Sequence, residues 1–402
     1  MFSKLLFGIS VIVLITEVVL AIFHVVALAV SFVSLHGTFK RKKDQSIHHA
    51  VSIIKPLLGA DGQEEVNLES FFQLDYEIDR FELLMCVESK EDPVIPIVQR
   101  LQQKYPNVRS QLFIGAKNVG LNPKINNMVR AVEAARCPWL WIADSGIYAK
   151  HDSLQEMVRC VAPEVGLIHQ LPFTTYGNSF TSYLNTAFFG TSHARAILVS
   201  HPLNLRCING MSCMIRKGAL EQVGGLEKFS AYVAEDHFLV NAIMNKGWKA
   251  AMCTAPALQN HGRVTLSWFF DRLIRWTRLR FTMLTFLTLL EPFTEMFVMG
   301  AAVAAAVSYL FLFPFWAAFG IHVAWWALSD FFLLHRLLNE WPKPKSLRLF
   351  LPYWFRQLTA FPLFLFALSS RKVFWGRQRY KLLFNGRAVV AHDEQARSTT
   401  KA

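Results

Sequence analysis

Cysteine is scarce and carries no pattern. Its six copies, Cys86, Cys137, Cys160, Cys207, Cys213 and Cys253, all stand in the middle of a 402-residue chain without CxxC spacing. That argues against a structural zinc site and for reduced thiols. No Asn-x-Ser/Thr sequon occurs, as suits a domain facing the cytosol, and there is no internal repeat or low-complexity tract. Charged residues make up 18% of the chain and lean basic, 42 Lys and Arg against 29 Asp and Glu. The basic residues gather beside apolar segments, so the partner they fit is an anionic lipid surface, with no nucleic acid.

What the chain does have is apolar mass, 53% hydrophobic and 13% aromatic, bunched at its two ends. That composition excludes disorder and an ordinary soluble enzyme. The block Leu5 to Leu35 is broken only by Glu17 and His24, and it exceeds the roughly 20 residues that cross a bilayer. It runs directly into "KRKKD" with no small-residue cleavage site, so residues 1–38 read as a retained anchor. Lys40, Arg41, Lys42 and Lys43 follow it, against Lys4 alone on the other side. The middle of the chain is therefore expected in the cytosol.

Residues 39–265 read as α/β. "VSIIKPLL", "FELLMCV", "SQLFIGA" and "WLWIADSG" are strand candidates. Between the last two, Ile125, Met128, Val129 and Val132 share one helical face. Strand, helix, strand predicts crossovers and a mostly parallel, covered sheet, with ligands at the carboxyl ends of its strands. Lys55, Glu88 and Asp144 fall where strands should end. Residues 266–282 predict an amphipathic helix in the headgroup region, with Asp271, Arg272, Arg275 and Arg278 opposite Trp268, Phe269, Ile274, Trp276 and Leu279. Residues 283–335 predict a membrane hairpin turning near Pro314. A further block, 347–369, is interrupted by Pro352, Arg356 and Pro362 and reads as re-entrant or interfacial in preference to a third C-terminal span; 370–402 reads as a basic tail.

Carboxylates beside apolar residues are solvated, paired, metal-bound or used as bases. Asp92 lies in "ESKEDP", Asp144 in "ADSG" and Asp236 in "AEDH", and an R-x-x-R-W box follows at Arg272, Arg275 and Trp276. Each has a plainer reading. Asp236 could cap a helix, Asp144 could serve a turn, Asp92 could start a helix, and the arginines could meet lipid headgroups. Lys55 and Lys124 could approach phosphates or stay solvated, His193 could receive an acceptor or be structural, and Cys207 could simply pack.

Taken in order, three spaced aspartates and the R-x-x-R-W box resemble the membrane glycosyltransferases that use a nucleotide sugar, and specifically glycosyltransferase family 21, the ceramide glucosyltransferases. "SIIKPL", "NPKINN", "HARAI" and the terminal membrane blocks extend the resemblance over nearly the whole chain. It implies a GT-A-type, Rossmann-like domain with an N-terminal transmembrane anchor and C-terminal interfacial and transmembrane helices. It further implies an inverting transfer of glucose from UDP-glucose to the primary hydroxyl of ceramide, at a Golgi membrane on the cytosolic side, in a possible homo-oligomer. By the same resemblance Asp92 contacts uridine; Lys55 and Glu88, at expected strand ends, and Lys124, at an expected helix start, are expected near the nucleotide by their positions in the sequence. Asp144 takes the diphosphate and a divalent metal, Mg²⁺ or Mn²⁺, and Asp236 is the base. Arg272, Arg275 and Trp276 hold the leaving group and acceptor; His193, in a stretch with aromatic neighbours, and Cys207 are expected in the acceptor region. Gly146 stands where many relatives carry a second aspartate. The rival readings are a related transferase with another lipid or polysaccharide acceptor, and a scaffold or transporter with an inactive nucleotide-binding-like domain.

Overall fold

The computed structural model describes residues 2–35, 49–60, 62–175, 177–262, 264–338, 346–376 and 378–391. Lys40, Arg41, Lys42, Lys43, Lys343, Lys345 and Arg377, which bear on membrane orientation, lie outside the described residues. The first apolar block is one helix, α1 (Phe2–Ser34), long and apolar enough to cross a membrane.

Strand and helix then alternate through β1 (Val51–Leu57), α2 (Glu64–Phe72), β2 (Phe81–Val87), α3 (Ile95–Lys104), β3 (Ser110–Ile114), α4 (Pro123–Ala134) and β4 (Trp139–Ala143). Every residue of β1, β2 and β4 is buried. Strands covered on both faces have no polar side to show, hence their unbroken apolar runs. The second half adds β5 (Ile147–Tyr148), α5 (Ser153–Val158), β6 (Val165–His169), β7 (Pro172–Thr174), α6 (Phe180–Gly190) and α7 (Ser192–Ser200). It closes with β8 (Ser212–Arg216), α8 (Lys217–Gln222), α9 (Glu235–Asn245), β9 (Lys249–Met252) and β10 (Ala257–Gln259). The main sheet has the order β3-β2-β1-β4-β8-β6-β9. It is parallel except at β8, which runs against both neighbours.

Alternate residues feed two cores. Ile53, Leu83, Met85, Trp139 and Trp141 pack with Phe71 of α2 on one face of the sheet. Ile54, Leu84, Leu140 and Ile142 pack with Ile125, Met128 and Val129 of α4 and Leu239 and Ile243 of α9 on the other. Each such side chain contributes about 1.5–3 kcal/mol of burial.

α10 (Leu266–Met283) starts at Thr265, whose hydroxyl accepts from Trp268 N–H at 3.2 Å. Its faces differ from the amphipathic expectation: Arg272 is buried alongside Phe269 and Leu279, while Trp268 is exposed. The helix packs against protein on the side that was expected to meet headgroups. α11 (Thr285–Leu290) and the turn after it meet α12 (Met296–Phe311) at 73°; Leu312 and Pro314 then turn the chain into α13 (Phe315–Leu337), the second helix long and apolar enough to cross a membrane. α14 (Ser346–Leu368) is one continuous helix through Pro352 and Pro362.

Glu291, Glu295 and Asp330, in the apolar C-terminal half of the chain, are paired within the protein. Glu291 pairs with Arg280, Glu295 with Arg356, and Asp330, 1% exposed, accepts from Arg195 of α7 and from Tyr353 and Gln357 of α14. The basic tail contains a folded sheet, β11 (Lys372–Trp375), β12 (Gln378–Leu382) and β13 (Ala388–Val390), antiparallel throughout. Its period-2 pattern puts Val373, Tyr380 and Leu382 inward and leaves Lys372, Arg379 and Lys381 exposed, so charge dominates the sequence while apolar side chains dominate the packing.

Candidate active site

The carboxyl ends of β1, β2 and β4 open into a cleft of about 2170 Å³. Glu88, Lys124, Asp144, Asp236, His193, Cys207, Arg272, Arg275 and Trp276 all line it; Lys55 and Asp92 do not.

Lys124 is the hub. Asn122 caps α4, its side chain accepting from Ile125 N–H at 3.0 Å, and Pro123 opens the first turn, which fixes the direction in which Lys124 leaves the helix. Its Nζ lies 2.8 Å from Asp144 Oδ1 and 3.1 Å from Glu235 Oε1. Burial disfavours its charge, but Asp144 and Glu235 outweigh burial and hold its pKa above the usual lysine value.

The adjacent carboxylates Glu235 and Asp236 part company. Glu235 is buried and held by Lys124 and by Asn122 Nδ2 at 3.0 Å; burial pushes its carboxyl upward against the pull of Lys124. Asp236 turns to the cleft, accepting at Oδ2 from Gly210 N–H and at Oδ1 from its own neighbour His237 N–H, both at 2.8 Å. Gly210 is required by that contact, because a Cβ there would sit 2.4 Å from Asp236 Cβ.

From α10, the Arg272 guanidinium lies 4.5 Å from the Trp276 ring centre and 5.0 Å from those of Phe189 and Trp268. One terminal nitrogen donates to Gln259 Oε1 and the other, buried, has no partner among the described residues. Burial, then Arg275, pulls its pKa down to about 9. His193 sits among Phe188, Phe189 and Trp276, with its Phe189 ring contact at 4.8 Å. Burial and then Arg272 and Arg280 hold its pKa near about 3, so the ring is neutral, and its Nδ1 has no partner among the described residues. Cys207 is exposed on the cleft wall, and all six cysteines are free.

The model of "Glycosyl transferase family 21" matches residues 19–388. The chain belongs to glycosyltransferase family 21. It is 36% identical over 380 residues to ceramide glucosyltransferase 1 of Caenorhabditis elegans, covering 94% of this chain and 80% of that one. It is 26% identical to a ceramide glucosyltransferase of Komagataella phaffii, over 91% of this chain and 90% of that one. Among solved structures, a mannosyltransferase from Pyrobaculum calidifontis in complex with GDP-Man and Mn²⁺ is similar at a TM-score of 0.47 and 16% identity, covering 84% of this chain and 100% of that chain.

Two residues of the family 21 pattern are differently placed from expectation. Lys55 is neither solvated nor at the cleft. Fully buried over the Phe71 ring, it donates to the main-chain carbonyls of Asp144 at 2.6 Å and Ile147 at 3.0 Å, and burial lowers its pKa to about 7. It supports the strand end that presents Asp144. Asp92 is buried and accepts from Gly59 N–H at 3.1 and 3.0 Å and Val94 N–H at 3.0 Å, so its carboxylate ties the loop after β1 to the start of α3. The glycine at 146 has a steric cause: a Cβ there would stand 2.4 Å from Cε1 of His261, whose ring fills the space an aspartate would need.

No three His, Cys, Asp or Glu side chains gather around an ion site among the described residues. Asp144 keeps 37% of its side chain exposed at the cleft. One such carboxylate fits Mg²⁺ or Mn²⁺ only in company with substrate phosphates, a common arrangement for hard cations. Sequence reasoning missed Glu235 as the partner of Lys124, His261, and the C-terminal sheet, whose Trp375, Gly376, Gln378 and Tyr380 line the same cleft. Only the alternation of Val373, Trp375, Tyr380 and Leu382 could have signalled the last.

Proposed function

We propose that the chain transfers glucose from UDP-glucose to the primary hydroxyl of ceramide with inversion, forming β-glucosylceramide at the cytosolic face of a Golgi membrane. One observation carries the reading: a single cleft runs from Lys124 and Asp144, past Asp236, to the exposed apolar Leu284 and Leu287 beside the membrane helices. A lipid acceptor needs that continuity, since withdrawing its chains from the bilayer costs about 0.8 kcal/mol per CH₂. The names of the Caenorhabditis and Komagataella relatives support ceramide, and the family resemblance supports the donor and the organelle.

In this reading Asp236, oriented by Gly210 and His237 N–H, takes the acceptor hydroxyl proton as the oxygen attacks the anomeric carbon. The bond from that carbon to the β-phosphate oxygen breaks and the pair leaves with UDP. Lys124, Arg275 and the unpartnered nitrogen of Arg272 meet the growing diphosphate charge. Mg²⁺ or Mn²⁺ at Asp144 would supply further charge neutralisation there. Trp276 packs on Arg272 and keeps its fork in place. Neutral His193 offers its free nitrogen to an acceptor hydroxyl, with Cys207 across the cleft.

The test is transfer from radiolabelled UDP-glucose to ceramide in micelles, with UDP-galactose and diacylglycerol as alternative substrates. Asp236→Asn is expected to bind UDP-glucose normally and lose about 10²–10⁴-fold in kcat. Transfer to another lipid or to a growing glycan, and none to ceramide, would sink the named acceptor.

A further inference from the structure

The sheet formed by β11, β12 and β13 is anchored at one end and reaches into the cleft at the other. At the anchored end Ala388 N–H donates to Ala231 O at 3.1 Å, Tyr232 bridges Arg387, and Gly386 presses so closely on α9 that a Cβ would stand 2.4 Å from Phe238 Cζ. Val373, Tyr380 and Leu382 fill a small core with Val233, Leu279, Leu121 and Trp276. The sheet is thereby fastened to the segment that delivers Glu235 and Asp236 and to the arginine helix.

At the other end Trp375 and Gly376 close the hairpin over the start of α4. Gly376, at φ +61, has its Cβ direction 3.8 Å from Pro123 Cγ, next to Lys124. Tyr380 lies within the field of Glu88, at the carboxyl end of β2; burial and then that carboxylate raise its pKa. Both neighbours belong to the strand-end side of the cleft, where nucleotides bind in parallel sheets. Leu284 and Leu287 mark the opposite, membrane side. Trp375 is half-buried, packs in part against the core around Val373 and Tyr380, and lines the cleft. A flat, half-buried indole on the wall of the same cleft as Lys124, the cation that pairs with Asp144, is a platform on which a base can stack.

We propose that the C-terminal sheet is a wall of the donor site and that Trp375 is the surface on which the base of the donor's nucleoside diphosphate stacks. The proposal rests on the nucleotide-sugar reading above. Its test uses the full chain in detergent, with UDP and inorganic pyrophosphate as probes in equilibrium dialysis. Trp375→Leu is expected to weaken UDP binding about tenfold, equivalent to about 1.4 kcal/mol, and to leave pyrophosphate binding unchanged. Trp375→Phe, which keeps a ring, is expected to stay within about threefold of the parent, and Lys381→Ala, on the exposed side of β12, to match it.

Equal losses for UDP and pyrophosphate would make the sheet a mere support, and an unchanged UDP affinity with a raised ceramide KM would move Trp375 to the acceptor; either overturns the proposal. A thermal melt of Trp375→Leu matching the parent establishes that the effect is local, and a collapsed melt passes the decision to Trp375→Phe, where a tenfold loss overturns it. Because UDP binding needs no transfer, base-dependent stacking in a protein that fails to glucosylate ceramide would refute the acceptor alone.

Discussion

Buried charge is handled in opposite ways at the cleft and among the membrane helices. In the cleft, Lys124 holds two carboxylates while Asp144 stays over a third exposed and Asp236 faces the open space. Among the helices, Asp330 is sealed: Arg195 reaches it from α7, Tyr353 and Gln357 from α14, and His24 of α1 lies 2.8 Å from the same arginine nitrogen. The first arrangement leaves charge available to a ligand, and the second spends every bond on joining elements. Burial of an ionisable group therefore does not by itself mark chemistry; access to the cleft does.

Three substitutions test that contrast. The largest effect is expected from Lys124→Met, which strips both Asp144 and Glu235 of their cation. Transfer activity should fall by at least about a hundredfold, and UDP binding should weaken with it. If activity persists, the hub is structural. Next comes Arg195→Met, which leaves Asp330 buried without its cation. A loss on the order of 3 kcal/mol is expected in detergent unfolding, with UDP affinity unchanged in the protein that remains folded. Combining it with Asp330→Asn should restore part of the loss, as for any pair whose members fail together. Separate, additive losses would show that the two residues do not act as one strut.

The smallest effect concerns Lys55. Its folded-state pKa, about 7, lies below the unfolded value of 10.5, so between those limits the unfolded chain binds more protons. Stability should then rise with pH, by up to about 1.4 kcal/mol per pH unit, and the contribution should vanish below pH 7, where both states are protonated. The difference in unfolding free energy between the parent and Lys55→Met, followed from pH 7 to 9, measures it. A flat difference would mean that Lys55 stays charged on its two carbonyls.

Much of the α/β domain could be read directly from residue order. "FELLMCV" is the whole of β2, and Ile125, Met128 and Val129 do face the core from α4. Local periodicity and burial on both faces suffice to define such elements. The order of the aspartates and the arginine box likewise carries the family 21 pattern. What residue order could not show is which side chain points where. Lys55 and Lys124 look alike in sequence, yet one supports the sheet from below and the other bridges Asp144 and Glu235. Nothing local separates Glu235 from Asp236, and nothing local marks Gly146 as the space for His261.

The N-terminal apolar helix, the alternating α/β domain, the basic flanks and the family follow from residue order, because each depends on neighbours within a few residues or on motifs in fixed order. The joining of three helices to the α/β domain through Asp330, the tying of a loop by Asp92 and the folding of a charged C-terminal stretch into a wall of the cleft come from packing between distant segments. Those outcomes depend on partners more than a hundred residues apart in the chain, Arg195 with Asp330 and Leu121 with Tyr380, and the free energy of burying a charge or an indole is set by such distant neighbours.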